Sequence, residues 1–249
     1  MPILGLGLHV LIAIYFATHV VRTGQDKYWL WILFAFPLLG SVVYALAIWL
    51  PDARHSRQGR QVVRGVRNLI DPSRELREAQ EQLDVAATAD NHLRLADALM
   101  AAGRASEAVV QYQAVLRGVH AKDGGITVRY ATALLEAGKA NEARETLDRL
   151  IREQPDFKSP EGHLVYARAI AALGDRAKAS AEFDVLVGYF AGLEARARYA
   201  GLLLQWGERE RAAALIEEGL KLAGRMPRYA REINKPWLAE LQRLRNALA

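Results

Sequence analysis

Residues 98–108 of this chain read ALMAAGRASEA, and the same arrangement of alanines around a glycine returns three times further along the sequence. The later copies are ALLEAGKANEA at residues 133–143, AIAALGDRAKA at residues 169–179 and GLLLQWGERERA at residues 201–212. The glycines are spaced by 35, 36 and 33 residues, and they are Gly103, Gly138, Gly174 and Gly207. A regular spacing of this length is typical of stacked supersecondary repeats, so these turns decide the fold of the larger part of the chain.

Small residues flank each glycine at fixed distances, which predicts two helices joined by a tight turn. One alanine stands seven residues before each glycine and another stands five residues after it: Ala96, Ala131, Ala167, Ala200, Ala108, Ala143, Ala179 and Ala212. Nine residues after each glycine comes a large apolar side chain: Tyr112, Leu147, Phe183 and Ile216. Small side chains let two helices cross closely, and glycine can adopt the positive φ that ends a helix. We therefore expect an all-α architecture built from pairs of helices.

The repeat resembles the tetratricopeptide repeat, a helix–turn–helix of about 34 residues. Pro155 stands where that family places its closing proline, and the other three repeats lack it. The tryptophan that the family carries early in its first helix is also absent, and its positions hold His92, Thr127, His163 and Arg196. The resemblance implies a right-handed α-solenoid whose first helices line a groove that binds protein partners.

The resemblance also assigns the positions of the first helices that face this groove. In this sequence they are Leu93, Asp97, Met100, Val128, Thr132, Leu135, Leu164, Arg168, Ala197, Leu204 and Gln205. They form a largely apolar wall with isolated polar groups, which suits a helix or an extended peptide held by side-chain pockets. For any single position, packing against a neighbouring helix is the alternative. Family members that bind chaperone tails use recurring Lys and Asn on this wall, and this chain has neither there, so we do not expect it to recognise a terminal carboxylate.

An uncharged stretch, YWLWILFAFPLLGSVVYALAIWL at residues 28–50, comes before the repeats. At about 1.5 Å per residue it is long enough to cross a bilayer core of about 30 Å, and aromatic residues stand at both of its ends. A second apolar stretch occupies residues 3–21, and the short link at 22–27 allows only a tight hairpin. We therefore predict a transmembrane hairpin over residues 1–50, with a kink at Pro37. A cleaved signal peptide is the alternative for the first span, although its start lacks a basic residue.

The pattern P-L-L-G-x-x-x-Y, which runs from Pro37 to Tyr44, resembles part of a known membrane module. It is similar to the two-span segment at the N-terminus of phospholipase D-type cardiolipin synthases. The catalytic part of those enzymes carries paired H-x-K-x-x-x-x-D motifs, and no copy of this motif occurs here, since His120-x-Lys122 is followed by Thr127 in place of the aspartate. The resemblance therefore implies a membrane anchor without phosphodiesterase chemistry.

A basic linker follows the predicted hairpin at residues 51–70. Residues 51–75 hold six Arg against three acids, a net charge of +3, whereas residues 76–249 hold 25 basic residues against 24 acids. Basic flanks of membrane spans stay on the cytoplasmic side and attract anionic lipid. A solvated flank without lipid contact is the alternative. The candidates for lipid contact are Arg54, Arg57, Arg60, Arg64 and Arg67.

Several classes of chemistry lack their parts in this sequence. There is no cysteine, no phosphate-binding glycine loop, no G-x-S-x-G and no pair of histidines at metal-ligand spacing. We therefore expect no enzyme activity, no catalytic residue, no cofactor and no metal. The repeats carry almost balanced charge, which argues against nucleic acid as a partner.

Together these patterns predict a hairpin at residues 1–50, a linker at residues 51–70 and a repeat domain with capping helices at residues 71–249. The leading hypothesis is a scaffold for a protein partner, anchored in a bacterial inner membrane with both termini in the cytoplasm. The bacterial origin follows from the alanine- and arginine-rich composition. The alternative is a regulatory subunit of a membrane or lipid-metabolism enzyme that contacts anionic lipid through the linker.

Overall fold

The structure, a computed structural model, describes residues 14–18, 20–21, 26, 28–44 and 73–248. The chain divides into two compact units, Met1–Arg74 and Glu75–Ala249. All regular secondary structure in the described residues is helical. The first unit contains helices α1 (Tyr28–Ala35) and α2 (Pro37–Tyr44).

Aromatic side chains form the core of the described part of the first unit. Tyr44 is fully buried, and its ring centroid lies 5.4 Å from that of Phe16 and 5.3 Å from that of Trp29. Val20 and Leu33 complete this small core. Because Phe16 and Val20 belong to the first apolar stretch and the other three residues to the second, the two stretches pack against each other.

Helices α1 and α2 are separated at Phe36, directly before Pro37, where the sequence predicts a kink. Proline has no N–H for the helical hydrogen-bond ladder, so an interruption at this point is expected. Each of the two helices has eight residues. Within the described ranges, no helix combines the length and the apolar character needed to cross a bilayer. The linker at 51–70, most of the span predicted at 3–21 and the end of the span predicted at 28–50 lie outside the described residues.

From Arg74 onward the chain folds into helices that pack in sequence order. They are α3 (Arg74–Val85), α4 (Ala89–Ala101), α5 (Ala105–Leu116), α6 (Gly124–Glu136), α7 (Ala140–Glu153), α8 (Pro160–Ala172), α9 (Arg176–Tyr189), α10 (Glu194–Gln205), α11 (Arg209–Arg225), α12 (Arg228–Ile233) and α13 (Lys235–Leu248). The repeats are the pairs α4/α5, α6/α7, α8/α9 and α10/α11, and each second helix also contacts the first helix of the next repeat. This arrangement confirms the predicted all-α stack of helix pairs.

The glycine turns have the backbone conformation that the sequence predicts. Among the described residues, positive φ angles occur only at Gly103, Gly138, Gly174 and Gly207, where they are 73°, 78°, 85° and 84°. In three of the four turns, the residue after the glycine donates its N–H to a carbonyl of the first helix at 2.8 Å, as Arg104 does to Leu99. A residue with a Cβ is strained at these angles, which explains why glycine stands at each turn.

The eight alanines that flank the turns have no exposed surface. The large apolar side chains nine residues after each glycine are buried as well. The alanines let the two helices of a repeat approach closely, and the larger side chains fill the space beyond the crossing. The packing therefore follows from the residue sizes at fixed positions of the repeat.

Polar pairs join the two helices of a repeat at three of the four positions where the tetratricopeptide family carries tryptophan. The pairs are His92–Gln111, His163–Glu182 and Arg196–Glu218, at 2.8, 2.8 and 3.0 Å. Arg196 is buried, and it also donates to the carbonyls of Val187 and Phe190 near the end of α9. At these positions the two helices of a repeat are therefore joined by polar contacts.

The two ends of the stack are covered by single helices. Ala79 of α3 is buried against the first repeat. On α13, Leu241 and Leu244 are buried, while Arg243 and Arg245 are exposed. A helix with one apolar and one charged face ends a repeat array without leaving its core in water.

Replacing Ala131 by Leu should lower the free energy of unfolding by about 1–3 kcal/mol, because the larger side chain overpacks a close helix crossing. Urea unfolding of the full chain in mild detergent, followed by circular dichroism, measures this change. Ala101→Leu, at an exposed position of α4, is the matched control and should change the free energy by less than about 0.5 kcal/mol. Equal effects of the two substitutions would contradict the steric role of Ala131.

Candidate protein-binding groove

Ion pairs link the first helices of successive repeats, on the helices that the resemblance assigns to the groove. Arg129 Nη1 of α6 lies 3.3 Å from Asp97 Oδ2 of α4. Arg168 Nη2 of α8 lies 2.7 Å from Glu136 Oε1 of α6. Asp97 and Arg168, two of the polar groove candidates, are therefore already paired within the chain. The Asp97–Arg129 pair is exposed and contributes little stability, whereas Arg168 of the second pair is partly buried; both pairs orient these side chains.

Asp97 is also the acceptor for a buried hydroxyl. The Tyr112 hydroxyl of α5 donates to Asp97 Oδ1 at 2.6 Å. Burial, together with this hydrogen bond and the charge of Asp97, raises the pKa of Tyr112 well above its ordinary value. Tyr112 is thus a neutral donor at physiological pH, and Asp97 connects α4, α5 and α6. The sequence gives no sign of these contacts because the partners come from other helices.

The remaining groove candidates differ in their exposure. Val128, Leu164 and Ala197 are buried, Gln205 is exposed, and the others are partly buried: Leu93, Met100, Thr132, Leu135, Arg168 and Leu204. The Thr132 hydroxyl donates to the Val128 carbonyl one turn earlier, at 2.8 Å. The first helices therefore present a mostly apolar surface, and few of their polar groups are free to contact a partner.

A cavity of about 570 Å³ lies between α8, α10 and α13. It brings three of the groove candidates together, namely Arg168, Ala197 and Gln205. Trp237 and Glu240 of α13 form another part of its wall. Nothing in the local sequence pattern around Trp237 shows that α13 lies beside α10.

Three of the residues that line this cavity are small. Ala171 and Ala172 of α8 and Gly201 of α10 line it, and a Cβ added to Gly201 would meet no atom within 4 Å. The backbone of a bound segment can therefore come close to these helices. Arg198 and Trp237 also line the cavity. The Arg198 guanidinium lies 4.6 Å from the centre of the Trp237 ring, in a cation–π contact.

The charged groups at this cavity are paired within the chain. Arg198 forms an ion pair with Glu194 at 2.8 Å, and Glu240 forms one with Arg243 at 2.6 Å. The hydrogen bond from Arg243 lowers the pKa of Glu240, which is therefore ionised at neutral pH. A partner would be held mainly by shape and by apolar and aromatic contacts, since little net charge is left for it.

The described residues contain no group of three or more side chains that could hold a metal ion. The lipid-contact candidates Arg54, Arg57, Arg60, Arg64 and Arg67 lie outside the described residues.

Replacing Tyr112 by Phe should lower the free energy of unfolding by about 1 kcal/mol at neutral pH, because it removes the hydrogen bond to Asp97. A raised pKa in the folded state means that this contribution is complete below the ordinary tyrosine pKa of about 10 and is lost as the pH rises above it. The difference in the free energy of unfolding between wild type and Tyr112→Phe should therefore stay constant up to a pH of about 10 and become smaller above it.

Urea unfolding of the full chain at a series of pH values measures this difference. Tyr229→Phe, at an exposed position of α12, is the control and should have no effect at any pH. A difference between wild type and Tyr112→Phe that is unchanged at strongly alkaline pH would show that the Tyr112 hydroxyl is not linked to folding.

Comparison with known proteins gives the repeats a family context. Residues 99–162 match the family model described as tetratricopeptide repeat. The crystal structure of a thermophilic tetratricopeptide-repeat protein from Thermus thermophilus is similar to this chain, with a TM-score of 0.52 and 18% sequence identity over 67% of this chain and 89% of that chain. No curated protein matches this sequence. Nothing in these similarities supports the resemblance of the N-terminal hairpin to the cardiolipin synthase module. The helical repeats of this chain therefore have the fold of a tetratricopeptide-repeat solenoid.

Proposed function

We propose that this chain is a scaffold without enzymatic activity that binds a protein partner in the groove of its repeats. The observation that carries the proposal is the cavity between α8, α10 and α13, which is lined by small residues and by Trp206 and Trp237. The small lining residues leave room for a peptide backbone. Trp237 is of a residue type that is enriched in the centres of protein interfaces. The tetratricopeptide fold supports the same kind of partner.

We further propose that residues 1–50 anchor the scaffold in a bacterial inner membrane, with both termini in the cytoplasm. Large apolar side chains of the first unit support this proposal, since Trp31 and Phe34 are 76% and 86% exposed. Other exposed apolar residues in the same helices or between them are Tyr28, Leu39, Val42, Val43 and Phe36. Contact with lipid would remove these surfaces from water. The Arg-rich linker supports the cytoplasmic orientation through its charge.

Filling the groove should abolish partner capture. Gly201→Phe places a large ring in the cavity lining at a position where the helix has room for it. Gly188→Phe is the matched control, because Gly188 also lies in a helix with no atom within 4 Å of an added Cβ, but on the second helix α9. The full chain and both variants serve as bait for cell extract in mild detergent, and captured proteins are compared by mass spectrometry.

The expected result is at least one protein captured by wild type and Gly188→Phe and lost with Gly201→Phe. Equal capture by all three forms would refute the groove as the binding site. Circular dichroism of each variant shows whether the repeats remain folded.

The membrane orientation is testable by protease accessibility. We expect the repeats to be protected in spheroplasts and cleaved in inverted membrane vesicles, because the linker arginines hold them on the cytoplasmic side. The reverse pattern would place the repeats on the outer side, and recovery of the full chain in the soluble fraction would refute the anchor.

A second candidate function is a regulatory subunit that senses anionic lipid through the linker. The concentration of charge favours it, since residues 51–75 carry +3 while residues 76–249 carry only +1. Photo-crosslinking of the full chain with an anionic lipid probe should fall when the linker arginines are replaced by Gln, and it should fall with added salt. If neither the arginine replacements nor added salt lowers the crosslinking, this second candidate function is refuted.

A further inference from the structure

A larger cavity, of about 740 Å³, lies between α7, α8 and α9, beside the connection between α7 and α8. Its lining comes from α7, α8, α9 and the connection between α7 and α8, together with Val128 of α6, whereas the groove cavity is lined by α8, α10 and α13. Its volume lies within the range of about 300–1,000 Å³ that is typical of ligand sites. The proposed function does not use this cavity.

The same junction one repeat earlier shows what is special about the large cavity. There, between α5, α6 and α7, the cavity measures only about 210 Å³. Tyr130 of the small cavity corresponds to Tyr166 of the large one, since both stand eight residues before the turn glycine. Thr127, Thr146 and Glu153 of the small cavity are replaced at the same repeat positions by His163, Glu182 and Tyr189. The large cavity is therefore not a general consequence of the repeat.

The connection between α7 and α8 keeps one side of the large cavity in place. The Phe157 ring lies so close to Gly124 that a Cβ there would come within 2.8 Å of it. Gln154 Nε2 donates to the Lys122 carbonyl at 2.8 Å, and Lys158 Nζ donates to the Pro155 carbonyl at 3.1 Å. A wall held by such contacts is formed before any ligand arrives, which reduces the entropy lost on binding.

Both ring nitrogens of His163 have partners in the cavity wall. Nε2 lies 2.8 Å from Glu182 Oε2, and Nδ1 lies 2.5 Å from the Tyr189 hydroxyl. The His163 and Tyr189 rings are stacked with centroids 5.9 Å apart. Burial, followed by the charges of Glu182 and Glu161, raises the pKa of Tyr189, so its hydroxyl is a hydrogen-bond donor and not an activated nucleophile. The cluster is therefore suited to binding.

A lysine of the chain itself, Lys178, contacts Tyr166 of the cavity wall. Lys178 Nζ lies 5.4 Å from the centre of the Tyr166 ring and donates to the Tyr166 hydroxyl at 3.1 Å. This hydrogen bond, followed by the charges of Tyr166, Asp148 and Glu182, raises the pKa of Lys178. Lys178 is exposed and comes from the first turn of α9, so an incoming cation can displace it. Asp148 and Glu182 also line the cavity, together with Lys158, and they contact Arg144 at 3.9 Å and His163 at 2.8 Å. An aromatic face and carboxylates attract ammonium and guanidinium groups.

We propose that this cavity binds a segment of a partner protein in which a Lys or Arg side chain neighbours a large aliphatic side chain. The cationic group lies over the Tyr166 ring near Asp148 and Glu182. The aliphatic group enters the apolar part of the cavity, which is lined by Leu147, Ile151 and Phe157. The chain thus carries a second binding site, formed by α7, α8 and α9, in addition to the groove cavity between α8, α10 and α13.

The test measures fluorescence anisotropy of a set of labelled synthetic peptides, each with one Lys or Arg among aliphatic residues, added to the full chain in mild detergent. We expect saturable binding by members of the set, and about tenfold weaker binding when the basic residue of the peptide is replaced by Gln. The chain variant with Asp148→Asn and Glu182→Gln keeps the shapes of both side chains and should weaken the parent peptide by about tenfold. It should not weaken the Gln peptide further.

Glu153→Gln is the control, because it removes a carboxylate from the small cavity one repeat earlier and should leave binding unchanged. The proposal is overturned if no peptide of the set binds, if the basic residue makes no difference, or if the double variant binds as tightly as wild type. Gly201→Phe should have no effect on peptide binding. If that variant abolishes binding, the peptides occupy the groove, which would support the proposed function and refute this second site.

Discussion

Close contact between helices at the eight turn-flanking alanines is the constraint on which the rest of the structure depends. These side chains have no exposed surface, so nothing larger fits between the two helices of a repeat. The glycine turns, with φ between 73° and 85°, return the chain at the angle that this contact requires. Because the same contact recurs four times, the helix pairs stack and their first helices stand in a row.

Polar side chains act within this frame as links between helices. Where the family carries an aromatic residue, His92, His163 and Arg196 form hydrogen bonds to the second helix of their repeat. Asp97 and Arg168 connect successive first helices through ion pairs. Most charged side chains of the first helices are thus paired within the chain. The candidate groove is therefore lined mainly by apolar, aromatic and small residues.

The cavities of the repeat array differ in size and in the residues that line them. Packing at the crossings depends on the alanines, so residues at other repeat positions can change without disturbing it. Where the small cavity carries Thr127, Thr146 and Glu153, the large cavity of the next junction carries His163, Glu182 and Tyr189, so the lining of the large cavity is more aromatic. The groove cavity arises differently, because it needs α13 to close one side.

Local spacing was sufficient to predict the helix pairs, the glycine turns, the close-packed alanines and the interruption at Pro37. These features depend on residue size and backbone freedom within a few turns of helix, which a sequence displays directly. The transmembrane spans and the lipid contacts of the linker arginines stay predictions from hydropathy and charge. The partners of Asp97 and Arg168, the buried position of Val128 and both cavities depend on distances between residues far apart in the chain. Those distances are set by how the helices stack, so only the folded structure decides which of the predicted groove residues can meet a partner.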